Sequence, residues 1–288
     1  MIRKVIVTVL LVLTIALLIG CAAEKALWGD PKSGLILTYR MGEGEALQYQ
    51  MSAEQTQELD MMGQTMETKT KSNSKFTATS KGKKEGNLML GITMDDMKIH
   101  VSSMQGDMSP DMKGVNGKSF DMTLSPLGKE VDISGAKELT YNMGEAGKRS
   151  LKSSFSAIFP DAAGKPVKVG DTWTSKDEIT EDESGLNIKI VLEGIDTLEG
   201  FETVNGLECA KITSKVKGTI NGEGQQMGQD LKLEGDIDGT GIWYFAYKKG
   251  CLVKMTIDSF MEGNVVVIGQ NMTIPMTQES KQEIVLVQ

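Results

Sequence analysis

Short apolar runs that alternate with polar residues at period two dominate this chain from Leu35 onward. Leu88-Met-Leu-Gly-Ile-Thr-Met, Phe120-Asp-Met-Thr-Leu, Ile188-Lys-Ile-Val-Leu, Leu252-Val-Lys-Met-Thr-Ile and Ile284-Val-Leu-Val each read as a strand bounded by Gly, Asn or Asp. Successive side chains of a strand point to opposite faces, so this alternation describes antiparallel sheet with one face in the core and one in water. The 32 glycines fall largely between the runs, where turns need positive φ. The pattern predicts a mainly β protein whose core includes Leu88, Leu90, Ile92, Phe120, Met122, Leu124, Phe155, Phe159, Trp173, Ile190, Leu192, Trp243, Phe245, Met255 and Ile257.

One segment breaks the period. From about Glu145 to Phe159, the apolar residues Leu151, Phe155, Ile158 and Phe159 fall at i, i+4, i+7 and i+8, and Pro160 follows. That spacing predicts one central amphipathic helix over 145–160, about 20 Å long at about 1.5 Å per residue. Packed on the concave face of a curved sheet, it would act as a plug held by Leu151, Phe155 and Phe159.

The stretches on either side of it correspond at three places. Gly44-Glu-Ala-Leu-Gln-Tyr matches Gly170-Asp-Thr-Trp-Thr at an offset of 126. Gly86-Asn-Leu-Met-Leu matches Gly206-Leu-Glu-Cys-Ala at 120, and the glycines of Ser125-Pro-Leu-Gly-Lys-Glu-Val and Tyr247-Lys-Lys-Gly-Cys-Leu-Val lie 122 apart. Nearly constant offsets predict two similar antiparallel β halves, residues 35–144 and 161–288, that form large curved sheet or sheets.

The N-terminus has a different character. Arg3 and Lys4 precede the sixteen residues Val5 to Gly20, which carry no charge, and Cys21 follows Leu18-Ile19-Gly20. A charged start, an apolar stretch and a small residue before a cleavage point make residues 1–20 a secretory signal peptide. The stretch is shorter than the about 20 apolar residues a spanning helix needs. Cys21 after Leu-x-Gly resembles the lipobox of bacterial lipoproteins. The resemblance implies that Cys21 is acylated, becomes the mature N-terminus and anchors the chain to an envelope membrane, facing the extracytoplasmic side. Ala22 in place of Asp then points to the outer membrane if the organism has two. Residues 21–34, with Gly29, Asp30, Pro31, Ser33 and Gly34, read as a lipidated tether.

Charge removes one class of partner. The chain has 31 Lys and Arg against 39 Asp and Glu, a net charge of −8, and loss of Arg3 and Lys4 with the leader takes it to −10. Such a surface does not neutralise phosphates, so nucleic acid is not expected. Besides Cys21 the chain has two cysteines, Cys209 and Cys251, both in strand-like sequence. Export would permit a disulfide. A simple meander, however, sets them against different parts of an intervening strand, beyond the roughly 7 Å between Cα atoms that a bridge tolerates, which favours buried thiols.

Lys165-Pro-Val-Lys-Val-Gly-Asp-Thr-Trp173 and the later Gly241-Ile-Trp-Tyr-Phe-Ala-Tyr-Lys-Lys-Gly-Cys-Leu resemble segments of an uncharacterised bacterial envelope lipoprotein family, a domain of unknown function with a Pro-Val-x-Val-Gly-Asp-x-Trp element after a short helix. The resemblance extends over most of residues 35–288 and implies no assigned activity. Physically, Pro166 holds the chain extended, Gly170-Asp171 makes a turn, and Trp173 anchors one side of the sheet.

No catalytic constellation stands out. His100 is the one histidine, and no Ser/Asp or Cys partner is spaced to make a triad with it. The acid pairs Asp95-Asp96, Glu43/Glu45 and Asp236/Asp238 point to opposite faces or to solvent if they lie in strands. Asp236-Ile-Asp-Gly239 lacks the further ligands and distal Glu of a calcium loop. Gly222-x-Gly224 has no helix after it and reads as a hairpin turn. An enzyme is not expected, and no cofactor is implied. Methionine is the odd signal, with 19 in the chain. Met104, Met108 and Met112 recur every four residues after Met94 and Met97, and thioethers are soft ligands that select Cu(I). Methionine equally fills irregular apolar space. The sequence therefore predicts a non-enzymatic binding or structural lipoprotein, whose partners are the membrane and an apolar ligand or envelope protein. The alternatives are a half-barrel carrier of lipid and a Cu(I) binder.

Overall fold

The computed structural model describes residues 28–287 apart from 62, 145, 146, 184, 227 and 271. The proposed leader, the lipobox and Cys21 lie outside them. In chain order the strands are β1 (Gly29–Asp30), β2 (Gly34–Leu35), β3 (Ala46–Met61), β4 (Gln64–Lys84), β5 (Asn87–Ser103), β6 (Gly106–Met108), β7 (Ser119–Leu124), β8 (Glu130–Asp132), β9 (Thr140–Asn142) and β10 (Lys148–Ser150). After the one-turn helix α1 (Lys152–Phe155) come β11 (Thr172–Glu183), β12 (Leu186–Val204), β13 (Leu207–Gln226), β14 (Gln229–Ala246), β15 (Cys251–Val267) and β16 (Met272–Leu286).

Twelve strands form one antiparallel sheet in the order β11-β12-β13-β14-β15-β16-β3-β4-β5-β7-β8, with β6 on β5. Consecutive strands pair because their connections are tight. Glu85-Gly86 (φ 53 and 85) and Asn205-Gly206 (φ 52 and 75) put two positive-φ residues between β4 and β5 and between β12 and β13, the backbone of a type I′ hairpin. The last strand closes onto the first long one, with Met276 opposite Leu59 and Leu286 opposite Tyr49. Residues 35–144 and 161–288 therefore share one sheet rather than forming separate domains. The architecture does not by itself establish a two-half repeat, since β16 has no counterpart in the first stretch.

Period-two alternation puts one continuous row on the inner face. Leu198, Ile212, Trp243, Met255, Ile284, Met51, Ser74 and Met97 stand opposite one another across eight strands. The segment between β8 and β11 covers this row and completes the core. Leu151 and Phe155 are fully buried, as are Phe76, Phe245 and Ile92. Most of the expected core is buried. Ile190, Leu192 and Ile257 are only half-buried, because the strands run on past the covering segment. There the inner face packs on itself: Ile220, Met261 and Met276 form a second small cluster with Leu59, Ile188, Leu233 and Ile237.

Several expectations need correction. The helix expected over 145–160 is one turn at Lys152–Phe155, preceded by the β9–β10 hairpin and followed by an extended strap. The Ser156 hydroxyl donates to Lys152 O at 3.0 Å, a local side-chain bond that competes with continuation of the helix, and Ala157 turns left-handed at φ 57. The four apolar residues are nevertheless all buried, by compact irregular packing instead of a helical stripe. The last residues of the expected tether, 21–34, instead form a small hairpin of β1 and β2 with Leu35 fully buried and bridged to Val167, and residues 21–27 lie outside the described ones. Gly222 and Gly224 lie inside β13, opposite Leu233 and Leu231, rather than in a turn. A Cβ at Gly222 would sit 3.3 Å from Leu233 and 3.4 Å from Ile188, so glycine there lets neighbouring inner-face side chains close up. Among the described residues, no helix is long and apolar enough to cross a membrane.

Candidate functional site

The strap that follows α1 crosses the inner face and is fixed at each step. Phe159 N–H donates to Glu130 Oε1 (3.0 Å), Tyr39 OH to Pro160 O (3.0 Å), Trp173 Nε1 to Asp161 O (2.9 Å), and Ala162 N–H to Leu127 O (2.7 Å). Gly128 makes the close approach possible. At φ +100 a Cβ there would stand 2.4 Å from Pro160 O and 2.7 Å from the Tyr39 ring. The expected turn chemistry at the start of β11 holds: Gly170 has φ +90 and Asp171 Oδ2 accepts from Lys168 N–H at 2.8 Å.

Between strap and sheet lies a cavity of about 110 Å³. One wall is apolar, made by Trp243, Met255, Ile257, Val216 and Leu192 with Phe159 of the strap. The other carries the carboxylates of Asp161, Asp177 and Asp196. Inner-face Gly194 and Gly241 stand opposite Ser175 and Ser214, and a Cβ at Gly194 would lie 2.4 Å from Ser175 Oγ, so glycine there makes room for the hydroxyl that lines the cavity. The volume suits about three waters or a fragment near the size of an aromatic ring.

Asp196 is the least expected of these groups, a carboxylate only 4% exposed. Ser214 Oγ makes a short bond to Oδ1, Trp243 Nε1 reaches the same oxygen at 3.4 Å, and Ser175 Oγ reaches Oδ2 at 3.4 Å. Burial raises its pKa above the usual carboxylate range, against the pull of these donors. Oδ2, with one long contact, keeps capacity for a further donor. Asp161 and Asp177 share Lys129, whose Nζ lies 3.5 Å from one and 3.1 Å from the other. Burial and then the neighbouring Asp177 raise Asp161. Just behind, burial first of all pushes Glu130 to about 7, its bond from Phe159 opposing and the charges of Asp177 and Asp161 adding.

The sheet edge next to this cluster is closed by lysines. Lys129 Nζ donates to Lys176 O (2.5 Å) and Lys152 Nζ to Thr180 O (2.7 Å), so two carbonyls of the edge strand β11 are occupied by charged side chains. Charged capping of this kind blunts edge-to-edge pairing.

The residues singled out in the sequence lie elsewhere. His100 is exposed on β5 beside Ser109 (3.2 Å) and Asp107 (3.8 Å). Asp95 accepts from Gln48 and Thr77, Asp96 pairs with Lys98, and Glu45 caps Gly42 N–H. Asp236 and Asp238 are on the outer face of β14, where Asp238 faces Lys217 at 3.8 Å. Met104 is 78% exposed at the β5–β6 turn, Met108 packs toward Gly144, and Met112 is 7% exposed in the core. Equal spacing in sequence therefore does not give the three thioethers one environment. Among the described residues, no group of three His, Cys, Asp or Glu is placed to hold a metal. Cys209 and Cys251 are free and buried. They flank the end of β14 at adjacent rungs (Ala210 opposite Phe245, Ala246 opposite Cys251), closer in register than a simple meander suggests. Two strand spacings, about 9–10 Å, still separate them. Burial pushes the two thiols to about 11 and about 12, so both stay protonated.

The pocket was not legible in advance. Asp161, Asp177 and Asp196 are spread over 35 residues of unremarkable acidic sequence. The one local signal was Asp196 on the inward register of Ile188, Ile190 and Leu192, a charge where the pattern calls for an apolar residue.

No protein-family model matches the chain, and no curated protein matches it in sequence. Among solved structures, a Bacteroides fragilis protein of YMCC-like fold, inferred to be exported, aligns over 87% of this chain and 97% of its own at 10% identity, with a TM-score of 0.26. Pseudomonas aeruginosa OccK2 (OpdF), solved with glucuronate, aligns over 86% and 100% at 6% identity and a TM-score of 0.29. A DUF1329 family protein from Desulfovibrio piger aligns over 83% and 85% at 10% identity and 0.18. Scores this low carry no argument about this chain.

Proposed function

We propose that this chain is a lipid-anchored, extracytoplasmic protein that binds a small amphipathic group without turning it over. The buried carboxylate of Asp196, set in the polar part of a cavity that is also lined by Trp243, Met255 and Ile257, carries the reading. A ligand end that is apolar on one side and bears an N–H or O–H donor on the other would rest against Trp243 and Met255 and donate to Oδ2. Ser175 and Ser214 are the hydroxyls in reach, and both are bonded to Asp196 with no imidazole beside them, so the site supports binding rather than nucleophilic attack. A groove for a whole acyl chain finds less support, because beyond the cavity the inner face is filled by Ile220, Met261 and Met276. The Cu(I) alternative has no geometric support.

Native mass spectrometry of protein extracted in mild detergent should show a co-purifying small molecule. It should be absent from Val216→Trp, which fills the cavity, and reduced in Asp196→Asn, with melting temperatures close to the parent's. An adduct that survives Val216→Trp, or a parent protein with none, would defeat the pocket reading.

The anchoring follows from Cys21 and is tested separately. Cys21→Ser should abolish labelling with a palmitate analogue and leave the leader uncleaved; normal acylation of the variant would remove the lipoprotein reading. We also read β3–β8 and β11–β15 as two copies of one unit. Supporting this are the matching hairpins at Glu85-Gly86 and Asn205-Gly206, and the turn glycines Gly128 (φ 100) and Gly250 (φ 83) between corresponding strands.

A further inference from the structure

A second cleft opens between the β9–β10 hairpin, the 3-10 turn Ser134–Glu138, α1 and the edge of β11. It measures about 580 Å³, and nine of the described residues line it. Four of these are basic, Lys137, Lys148, Arg149 and Lys152, and one, Glu181, is acidic, in a chain whose net charge is −8. Among the described residues, local charge thus opposes the sign of the whole molecule, and it does so around a concavity rather than along a strand face. Low-dielectric walls concentrate such a field.

Not all of that charge is available. Lys152 holds Thr180 O, and Arg149 and Glu181 each take part in interactions of their own. Lys137 and Lys148 are exposed and, among the described residues, have no carboxylate at ion-pair distance. The hydroxyls of Thr140 and Ser153 also line the cleft and are not spent on another group among the described residues. Two exposed lysines and two hydroxyl-bearing residues that line one hollow suit an oxyanion with several acceptor oxygens and more than one negative charge. We propose that this cleft is a binding site for a phosphate-type oxyanion, either free or as the phosphate of a lipid headgroup.

The test is equilibrium dialysis of the full chain in neutral detergent. The two probes are inorganic pyrophosphate and monomeric dihexanoylphosphatidic acid. At least one should bind saturably at low salt and weaken severalfold as ionic strength rises from about 0.05 to about 0.3 M. Lys137→Ala/Lys148→Ala should lose at least tenfold, whereas Lys83→Ala/Lys84→Ala, equally basic and on the exposed end of β4, should not change. Binding of both probes assigns the phosphate group itself as the determinant, and binding of the lipid probe alone assigns the headgroup; either supports the site. No saturable binding of either probe, or equal losses in the two double variants, overturns it.

Discussion

Phe155→Ala is expected to destabilise this protein by about 3–5 kcal/mol without opening a binding site. Phe155 closes α1, is fully buried, and meets Phe76 and Phe120 edge-on at centroid distances of 5.1 and 5.0 Å. Each aromatic pair adds about 0.5–1.5 kcal/mol beyond burial, and the irregular backbone on both sides has little of its own to hold it in place. Removal leaves a void that the long strands cannot collapse into, since their pairing fixes Phe76 and Phe120. The measurement is the urea midpoint at constant m-value, with uptake of a neutral apolar dye followed in parallel. A stable fold with increased dye uptake would restore the plug, the role expected of the predicted helix; a lowered midpoint with unchanged uptake marks Phe155 as core.

Glu130→Gln is expected to make the protein more stable at pH 8 and flatten its pH dependence. Glu130 ionises at about 7 in the folded chain against about 4.5 in a solvated one, mainly because burial disfavours its charge. Between those values the folded state keeps a proton that the unfolded state has released. Stability therefore falls as pH rises from about 4.5 to about 7, by at most about 3 kcal/mol, and is level above that. Glutamine keeps the acceptor for Phe159 N–H while removing the charge and its repulsion from Asp161 and Asp177. Asp161 and Asp196 are raised as well and leave a residual slope of the same sign. Thermal unfolding of both proteins at pH 5 and pH 8 decides the matter. A variant less stable than its parent at pH 8 would show that the carboxylate is needed in its charged form.

Where side-chain period alone sets the outcome, the expected elements and the structure agree. Leu88, Leu90 and Ile92 alternate in sequence and are buried on one face of β5; Trp243, Phe245 and Met255 behave alike on β14 and β15. The turn at Gly170-Asp171 was equally readable, because left-handed backbone and an Asp side chain bonded two or three residues away are local matters. The segment 145–160 marks the boundary of that method. Its apolar spacing fits a helix, yet serine-rich sequence and packing of Phe155 and Phe159 against Tyr49, Phe76 and Phe120 of the sheet hold it as one turn and a strap, with the same four residues inside.

From its sequence alone, the protein was determined to be mainly antiparallel β, to have its turns at glycines and to bury one face of each strand, since period-two patterning and positive φ act over a few residues. Closure of β16 onto β3 depends on contacts more than 200 residues apart, and no local signal encodes them. The carboxylates of Asp161, Asp177 and Asp196 became a site by the same route. Each is an ordinary surface acid until strand register and the crossing strap bring it into a cavity with Trp243. The basic cleft is likewise a product of assembly, drawing Lys137, Lys148 and Lys152 from three elements against the edge of a fourth. Local patterning decides which way a side chain faces; only the assembled sheet decides what it faces.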